Sequence, residues 1–239
     1  EDSDQSGTDF IVTDTPTPGA ANDTVIVTGC IAGDFDIKIN EILPDPEGTD
    51  SGFEFIELYN NSEEAVSLEG WGIATATSSW PADAGYRFPP SATIDAGGFV
   101  VIAQPEVAGA DFYTDEDEKF SLGNGGKAPD GVRLEDCEGT VQDTVLYGDP
   151  LDPIEDVELL DDLGLATMAT MADSELTIGR RVDGQDTDDN AADFATNMSP
   201  TPGAANDSIA VTDCIPGELE IKINEILPDP EGTDEGFEF

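Results

Sequence analysis

Six oxygen-bearing side chains, Asp183, Asp186, Asp188, Asp189, Asn190 and Asp193, fall within eleven residues, with Gly184 among them to allow a tight turn. Ca²⁺ takes about six to eight oxygen ligands from loops of this composition, so calcium binding is the first chemistry the residues suggest. The spacing matches an EF-hand loop only loosely, because no Glu follows where a bidentate ligand closes that cage. The same run equally suits an acidic hairpin loop held by Asx turns. Asp45, Glu47 and Asp50 form a second, sparser set that recurs as Asp229, Glu231 and Asp234.

Catalytic chemistry finds little support. The chain has no histidine, which removes His-activated nucleophiles, and it lacks a phosphate-cradling glycine loop or a G-x-S-x-G turn. Glu54 and Glu57 have the residue types of a sugar-hydrolysing carboxylate pair, but among 54 acids such a pair arises by chance. The expectation is therefore a non-enzyme. Trp71, between Gly70 and Gly72 in a strand-like run, reads as core, whereas Trp80, beside Ser79 and Pro81, lies in a loop and is the candidate ligand contact. N-x-S/T sequons at Asn22, Asn60, Asn197 and Asn206 permit glycosylation on exposed turns.

The charge balance narrows the partners. Against 54 Asp plus Glu stand 8 Lys plus Arg, a formal net charge of -46. A polyanion would meet repulsion instead of the counterion release that drives nucleic-acid binding, so nucleic acid is excluded. The acids are scattered among apolar residues, as on a solvated surface. Adaptation to high salt and divalent-cation binding are two sharper readings of the same composition. No apolar run approaches membrane-spanning length.

The elements that must position these residues are set by a repeat. Ile37 to Phe55, IKINEILPDPEGTDSGFEF, returns at Ile221 to Phe239 with one substitution, an offset of 184 residues. The offset holds without a gap for Pro16 to Asn22 (PTPGAAN) against Pro200 to Asn206, and Asp9 to Phe55 shares 33 of 47 positions with Asp193 to Phe239. A period of this length is a whole domain and not a solenoid turn. The expected organisation is the end of a preceding repeat and a Pro-rich connector at 1–22, one full unit at 23–206, and the start of the next repeat at 207–239. The prolines of PTPGAAN fix φ, so the connector should act as a stiff spacer. Cys30 and Cys214 are copies, leaving Cys30 and Cys137 in the full unit. A Cys30 to Cys137 disulfide is expected, with two buried thiols as the alternative, and the bond would suit an extracellular setting.

Within the unit, β-branched and alternating runs predict strands at Thr24–Thr28, Ile37–Leu43, Phe53–Asn60, Val66–Ile73, Tyr86–Phe88, Phe99–Gln104, Lys119–Leu122 and Leu176–Arg181. The alternation of Ile37–Leu43 breaks at Asn40 and Glu41, which predicts a bulge or a strand end buried on both sides. Val132–Glu135 and Thr140–Tyr147 read as a hairpin with Cys137 and Gly139 in its turn. Pro150 to Ala172 has mixed periodicity and suits either a short helix or an ordered loop. About nine short strands separated by Gly- and Pro-rich turns point to an all-β sandwich.

The order INEILPDP, FEFIELYN, VSLEGWGI, FPPSATIDAGGFVVIA, KFSLGNGG, VRLEDCEG and DTVLYG, closed by RVDGQDTDDNAADF and PTPGAAN, resembles the lamin tail domain family in its secreted microbial, tandemly repeated form. The resemblance covers roughly residues 36–206 and implies an immunoglobulin-like β-sandwich of generally non-catalytic character. Pro150 to Ala172 departs from the family pattern, as does the cysteine pair. Because fold does not fix what a module binds, two functions remain. One is a segment of a secreted or cell-surface filament, stalk or fibre, with neighbouring copies of itself as partners through head-to-tail contact or strand addition. The other is an adhesin or accessory module that binds polysaccharide or another surface ligand for a larger secreted protein.

Overall fold

The computed structural model describes residues 29–48, 52–77, 79–115, 119–125, 129–148 and 167–206. All of these lie in one compact unit, Glu1–Ser208. The expected strand at Thr24–Thr28, the connector at 1–22 and the returning repeat at 207–239 lie outside the described residues.

Two sheets form the unit. The first has the order β13 (Phe194–Met198), β12 (Thr177–Arg180), β1 (Ile37–Leu43), β2 (Phe55–Asn60), β7 (Phe99–Ala103), β8 (Phe112–Tyr113). The second runs β11 (Ala169–Thr170), β10 (Val141–Gly148), β9 (Asp130–Glu135), β4 (Gly72–Ala76), β5 (Tyr86–Arg87). A two-stranded ladder joins β3 (Val66–Ser67) to β6 (Thr93–Ile94). Pairing is antiparallel except for β7 with β8 and β10 with β11. Ile39, Ile42, Ile56, Leu58 and Ile102 from the first sheet pack against Ile73, Val132, Leu134, Val145 and Tyr147 from the second. Each fully buried Ile or Leu here contributes about 1.5–3 kcal/mol, which makes this interlayer cluster the main stabilising term.

Strand β1 carries the bulge its sequence predicts. Ile39 pairs with Leu58 and Glu41 with Glu57, so Asn40 is the extra residue on β1. The inward position therefore shifts from Ile37 and Ile39 to Ile42, and Glu41 joins the outer face. The hairpin of β9 and β10 also forms as expected. Cys30 and Cys137 are bonded, with Cα atoms 5.6 Å apart, tying the segment before β1 to the β9–β10 turn.

Three expectations need correction. Val66–Ile73 is two strands in different sheets, because Leu68 accepts from the Trp71 N–H and Gly70 sits at φ 75°. That turn carries the chain from the β3–β6 ladder into the second sheet, and Trp71 is buried as core. Lys119–Leu122 joins no ladder: the Lys119 N–H donates to Gly85 and the Leu122 N–H to the Glu54 carboxylate. Of the Pro150–Ala172 segment, the described end contributes β11. Short ladders that burial requires but alternation hides bring the strands among the described residues to thirteen. Among those residues no helix is long and apolar enough to cross a membrane.

Candidate functional site

The outer face of β1 and β2 presents an unusual pair. Glu41 and Glu57 are cross-strand partners, and both are fully buried. Like charges directly opposite one another destabilise a ladder, and a buried carboxylate without donors costs more still. The donors come from Thr201–Asn206. The Thr201 N–H lies 3.2 and 3.1 Å from the two Glu41 oxygens, and the Thr201 hydroxyl lies 3.1 Å from Oε2. Thr177 Oγ1 donates to Glu41 Oε1 at 2.6 Å. The Gly203 N–H donates to Glu57 Oε2 at 2.6 Å.

Local sequence explains how this strap folds. Thr201 accepts from the Ala204 N–H at 3.0 Å, closing a turn with Pro202 and Gly203 at its centre. Gly203 has φ 83°, the value required at the third position of a type II turn, and Pro at the second position presets the first angle. That geometry points the Gly203 N–H at Glu57. Gly179 admits the strap from the side, since a Cβ there would stand 3.0 Å from Asn206 Nδ2.

The bulge residue completes the groove. Asn40 Nδ2 donates to Glu57 Oε1 at 3.1 Å and to Asp183 Oδ1 at 3.0 Å, while Asn40 Oδ1 accepts from the Gly184 N–H at 3.3 Å. Asn206 Nδ2 donates to the Asn40 and Arg180 carbonyls at 3.2 and 2.8 Å, and the Asn206 N–H donates to Asp183 at 3.1 Å. A bulge that re-aims one side chain thus links both carboxylates to the strap. Burial pushes Glu57 up to about 8, partly offset by the Asn40 and Gly203 donors and reinforced by Glu41 and Asp183. Burial also raises Glu41, against the hydroxyl and N–H donors of Thr177 and Thr201.

On the inner side of the same sheet, Arg180 is the centre of a second polar group. It is buried and donates through Nη2 to Asp143 at 2.9 Å, through Nε to the Ile39 carbonyl at 2.8 Å and through Nη1 to the Gln185 carbonyl at 2.7 Å. Its Nη1 lies 3.6 Å from Asp186 and 3.8 Å from Asp193, and its guanidinium stands over the Phe194 ring at 4.6 Å. Asp143 belongs to the opposite sheet and also accepts from the Ile39 N–H at 2.7 Å, so this ion pair bridges the layers. Burial raises Asp143, opposed by the Arg180 charge. Burial also acts to raise Asp186, but the Lys38 hydrogen bond at 2.9 Å and the charges of Arg180 and Lys38 outweigh it and leave this carboxyl below its ordinary value.

The acidic loop is therefore divided among several tasks. Asp183 serves the strap, Asp186 pairs with Lys38 and Arg180, and Asp193 accepts from the Thr187 N–H and hydroxyl, each at 2.8 Å. Asp189 caps the single-turn helix α1 (Asn190–Asp193) by accepting from Ala191 and Ala192. Asn190 bonds Thr167, and Asp188 holds φ 58°. Among the described residues no group of three or more acidic, His or Cys side chains is placed to hold a metal ion. Asx-turn and capping contacts are present in the loop, at Asp186 with the Asp188 N–H and at Asp189 with Ala191 and Ala192. In the second set, Asp45 offers its carbonyl to Glu175, Glu47 is exposed, and Asp50 lies outside the described residues.

The remaining expected positions separate in the same way. Glu54 accepts from Gln104 Nε2 at 2.6 Å and from the Leu122 N–H at 3.0 Å. Trp80 is half-buried against Ala76, Leu146 and Met168, with the Arg133 guanidinium 3.9 Å from its ring centroid, so one ring face is already occupied. Asn60 corrects the expectation of exposed sequons: it is fully buried, and its Nδ2 donates to the carbonyls of Glu64, Ile94 and Asp95, all of which a glycan would displace. The Asn206 nitrogen is likewise engaged by two carbonyls. Asn197 is exposed, and Asn22 lies outside the described residues. PTPGAAN at 200–206 is a docked strap and not a spacer, because its N–H groups answer buried carboxylates.

Two facing sheets around one apolar layer make an all-β sandwich, an architecture the immunoglobulin-like class shares. Residues 32–149 match the family model described as Lamin Tail Domain. The matched span holds β1 to β10, whereas Arg180, the acidic loop and the strap lie beyond it. A solved structure of a DUF4876 family protein from Bacteroides thetaiotaomicron is similar at TM-score 0.50 and 16% identity, covering 69% of this chain and 72% of that one. At that identity the likeness shows the fold alone. No curated protein matches the chain. Neither name carries a reaction.

Sequence reasoning missed Glu41, Glu57 and Arg180 as organising residues. A signal for Glu41 was present: Asn40 and Glu41 interrupt an apolar strand at a place that is identical in both copies of the repeat.

Proposed function

We propose that the chain is a segment of a secreted or cell-surface filament, stalk or fibre built from tandem lamin-tail-like sandwiches, and that its role is structural and non-catalytic. One observation carries this reading. The two stretches that return almost unchanged at the 184-residue offset, IKINEIL…FEF and PTPGAAN, meet where Thr201 and Asn206 close over Glu41 and Asn40, and Glu57, the acceptor of the Gly203 N–H, follows two residues after the first of them. Duplication has therefore kept the strap and the Asn40–Glu41 side of its groove together, as a chain of self-contained modules needs. The Cys30–Cys137 bond supports an oxidising, extracellular location, and a net charge of -46 keeps such an array hydrated and away from nucleic acid.

Electron microscopy of the secreted material tests the reading. The expected image is an elongated assembly with an axial repeat of one unit. Isolated particles attached to a catalytic domain would instead establish the accessory-module alternative.

A further inference from the structure

The strap is held in an unusual manner. Residues 202–205 are exposed, and Thr201 and Asn206 are only partly buried, so little apolar surface fixes the segment. Its hold is the set of N–H, hydroxyl and amide contacts to Glu41, Glu57, Asp183 and two backbone carbonyls. The receiving side differs: Asn40, Glu41, Glu57 and Thr177 are fully buried and cross-linked by their own hydrogen bonds. An empty groove would leave two facing carboxylates short of donors, so the groove strongly favours being filled. It does not, however, specify which copy of the strap fills it.

The chain contains the strap sequence twice, since Pro16 to Asn22 and Pro200 to Asn206 are identical at all seven positions. The groups that do the binding, Thr201, Gly203 and Asn206, have Thr17, Gly19 and Asn22 as their counterparts. Ser199 and Pro200, which lead into the described strap, are exposed. Identical contacts made in cis or in trans differ little in contact energy, so effective concentration decides between them, and it reaches roughly millimolar between linked modules.

We propose that the Glu41/Glu57 groove accepts the T-P-G-A-A-N strap of a second copy of the unit, so that neighbouring copies are joined by strap exchange. This deepens the proposed function and rests on the reading of the chain as a repeated module. The partner contributes residues to the site, and the recognised chemistry is a Pro-Gly turn whose N–H groups face two carboxyls.

The test uses the full chain and a synthetic PTPGAAN peptide, with a scrambled peptide of the same composition as control. In the ¹⁵N-labelled unaltered chain, peptide added to about 10 mM, above the expected local strap concentration, should displace the chain's own strap and move the Gly203 amide signal saturably. In a chain carrying Gly203→Val, whose own strap cannot adopt the left-handed turn, the labelled peptide should bind at least tenfold more tightly. Adding Glu57→Leu should abolish that binding. A Gly203 signal that ignores the peptide overturns the proposal, whether or not the Gly203→Val chain folds. The filament reading is separated by microscopy: assemblies formed at full yield by a chain with both Gly19→Val and Gly203→Val overturn strap exchange while that reading stands. Peptide capture by a chain that never assembles supports exchange and removes the filament.

Discussion

Between the sheets, Arg180 gathers Asp143, Asp186 and Asp193, whereas on the outer face of the same sheet Glu41 and Glu57 are met by Thr177, Thr201, Gly203 and Asn40. The first group answers negative charge with a guanidinium and an ammonium. The second answers it with neutral donors and with protonation, since burial lifts Glu57 to about 8. The difference shows how a chain with 8 cations among 54 acids distributes them: the site that bridges the two layers is given an Arg, and the site that holds a strap does without. Charge pairing there fixes the sandwich, while donor pairing at the strap leaves a contact that can open.

The largest expected effect breaks the first group. Arg180→Met should cost about 3–5 kcal/mol in urea unfolding at neutral pH, because Asp143 remains buried with its charge uncompensated. Adding Asp143→Leu should recover much of the loss. A single-variant cost below about 1 kcal/mol would mean that Asp143 takes up a proton instead, and the contrast between the groups would fall.

Removing the disulfide with Cys30→Ser and Cys137→Ser should cost about 2–5 kcal/mol, through the long loop that the bond closes. This loss should be uniform from pH 4 to pH 9, because neither sulfur touches the two polar groups. A change in the shape of the pH profile would show that the bond positions one of them.

The pH profile itself separates the groups. Glu57 is raised from 4.5 to about 8, so its contribution is fully present below pH 4.5 and is lost as the pH rises through about 8. Asp186 is lowered from 3.8, so its contribution is present above that value and is lost as the pH falls through its depressed pKa. Stability should therefore weaken at the alkaline end through the strap groove and at the acid end through Asp186. Glu57→Gln should flatten the alkaline arm, leaving the variant about 2 kcal/mol or more above the unaltered chain at pH 9, at about 1.4 kcal/mol per pKa unit. At pH 5 the two should agree within about 1 kcal/mol. An alkaline arm unchanged by the substitution would place the weakness elsewhere.

What could be read from the sequence follows the range of the forces involved. The bulge at Asn40, the hairpin around Cys137 and Gly139, and the cysteine pairing were legible because periodicity, turn chemistry and the repeat are local or self-referential signals. Val66–Ile73 misled because Val66 and Leu68, then Trp71 and Ile73, each alternate, while the step of three between Leu68 and Trp71 marks where Gly70 turns the chain between sheets. The sequon at Asn60 looked like a surface turn, yet three carbonyls from Glu64, Ile94 and Asp95 converge on it only in the fold. For the acidic loop, spacing counts oxygens but does not show which of them Lys38, Arg180 and backbone N–H groups engage. The strap was hidden for the same reason. Proline content argues for a stiff spacer, and only the facing carboxylates, 146 residues from Gly203 in sequence, turn it into a closure.

The smallest effect tests whether the strap opens independently. Thr201→Val keeps the N–H that faces Glu41 and removes only the hydroxyl at 3.1 Å, so the expected loss is about 1 kcal/mol. Because the strap buries little apolar surface, that loss should appear as local opening and not as global unfolding. Amide exchange at Gly203 and Asn206 should accelerate about fivefold, matching about 1 kcal/mol, while exchange at Ile39, whose N–H donates to Asp143, stays unchanged. Equal acceleration at Ile39 would make strap and ion pair one cooperative unit, and the proposed ease of exchange between copies would lose its physical basis.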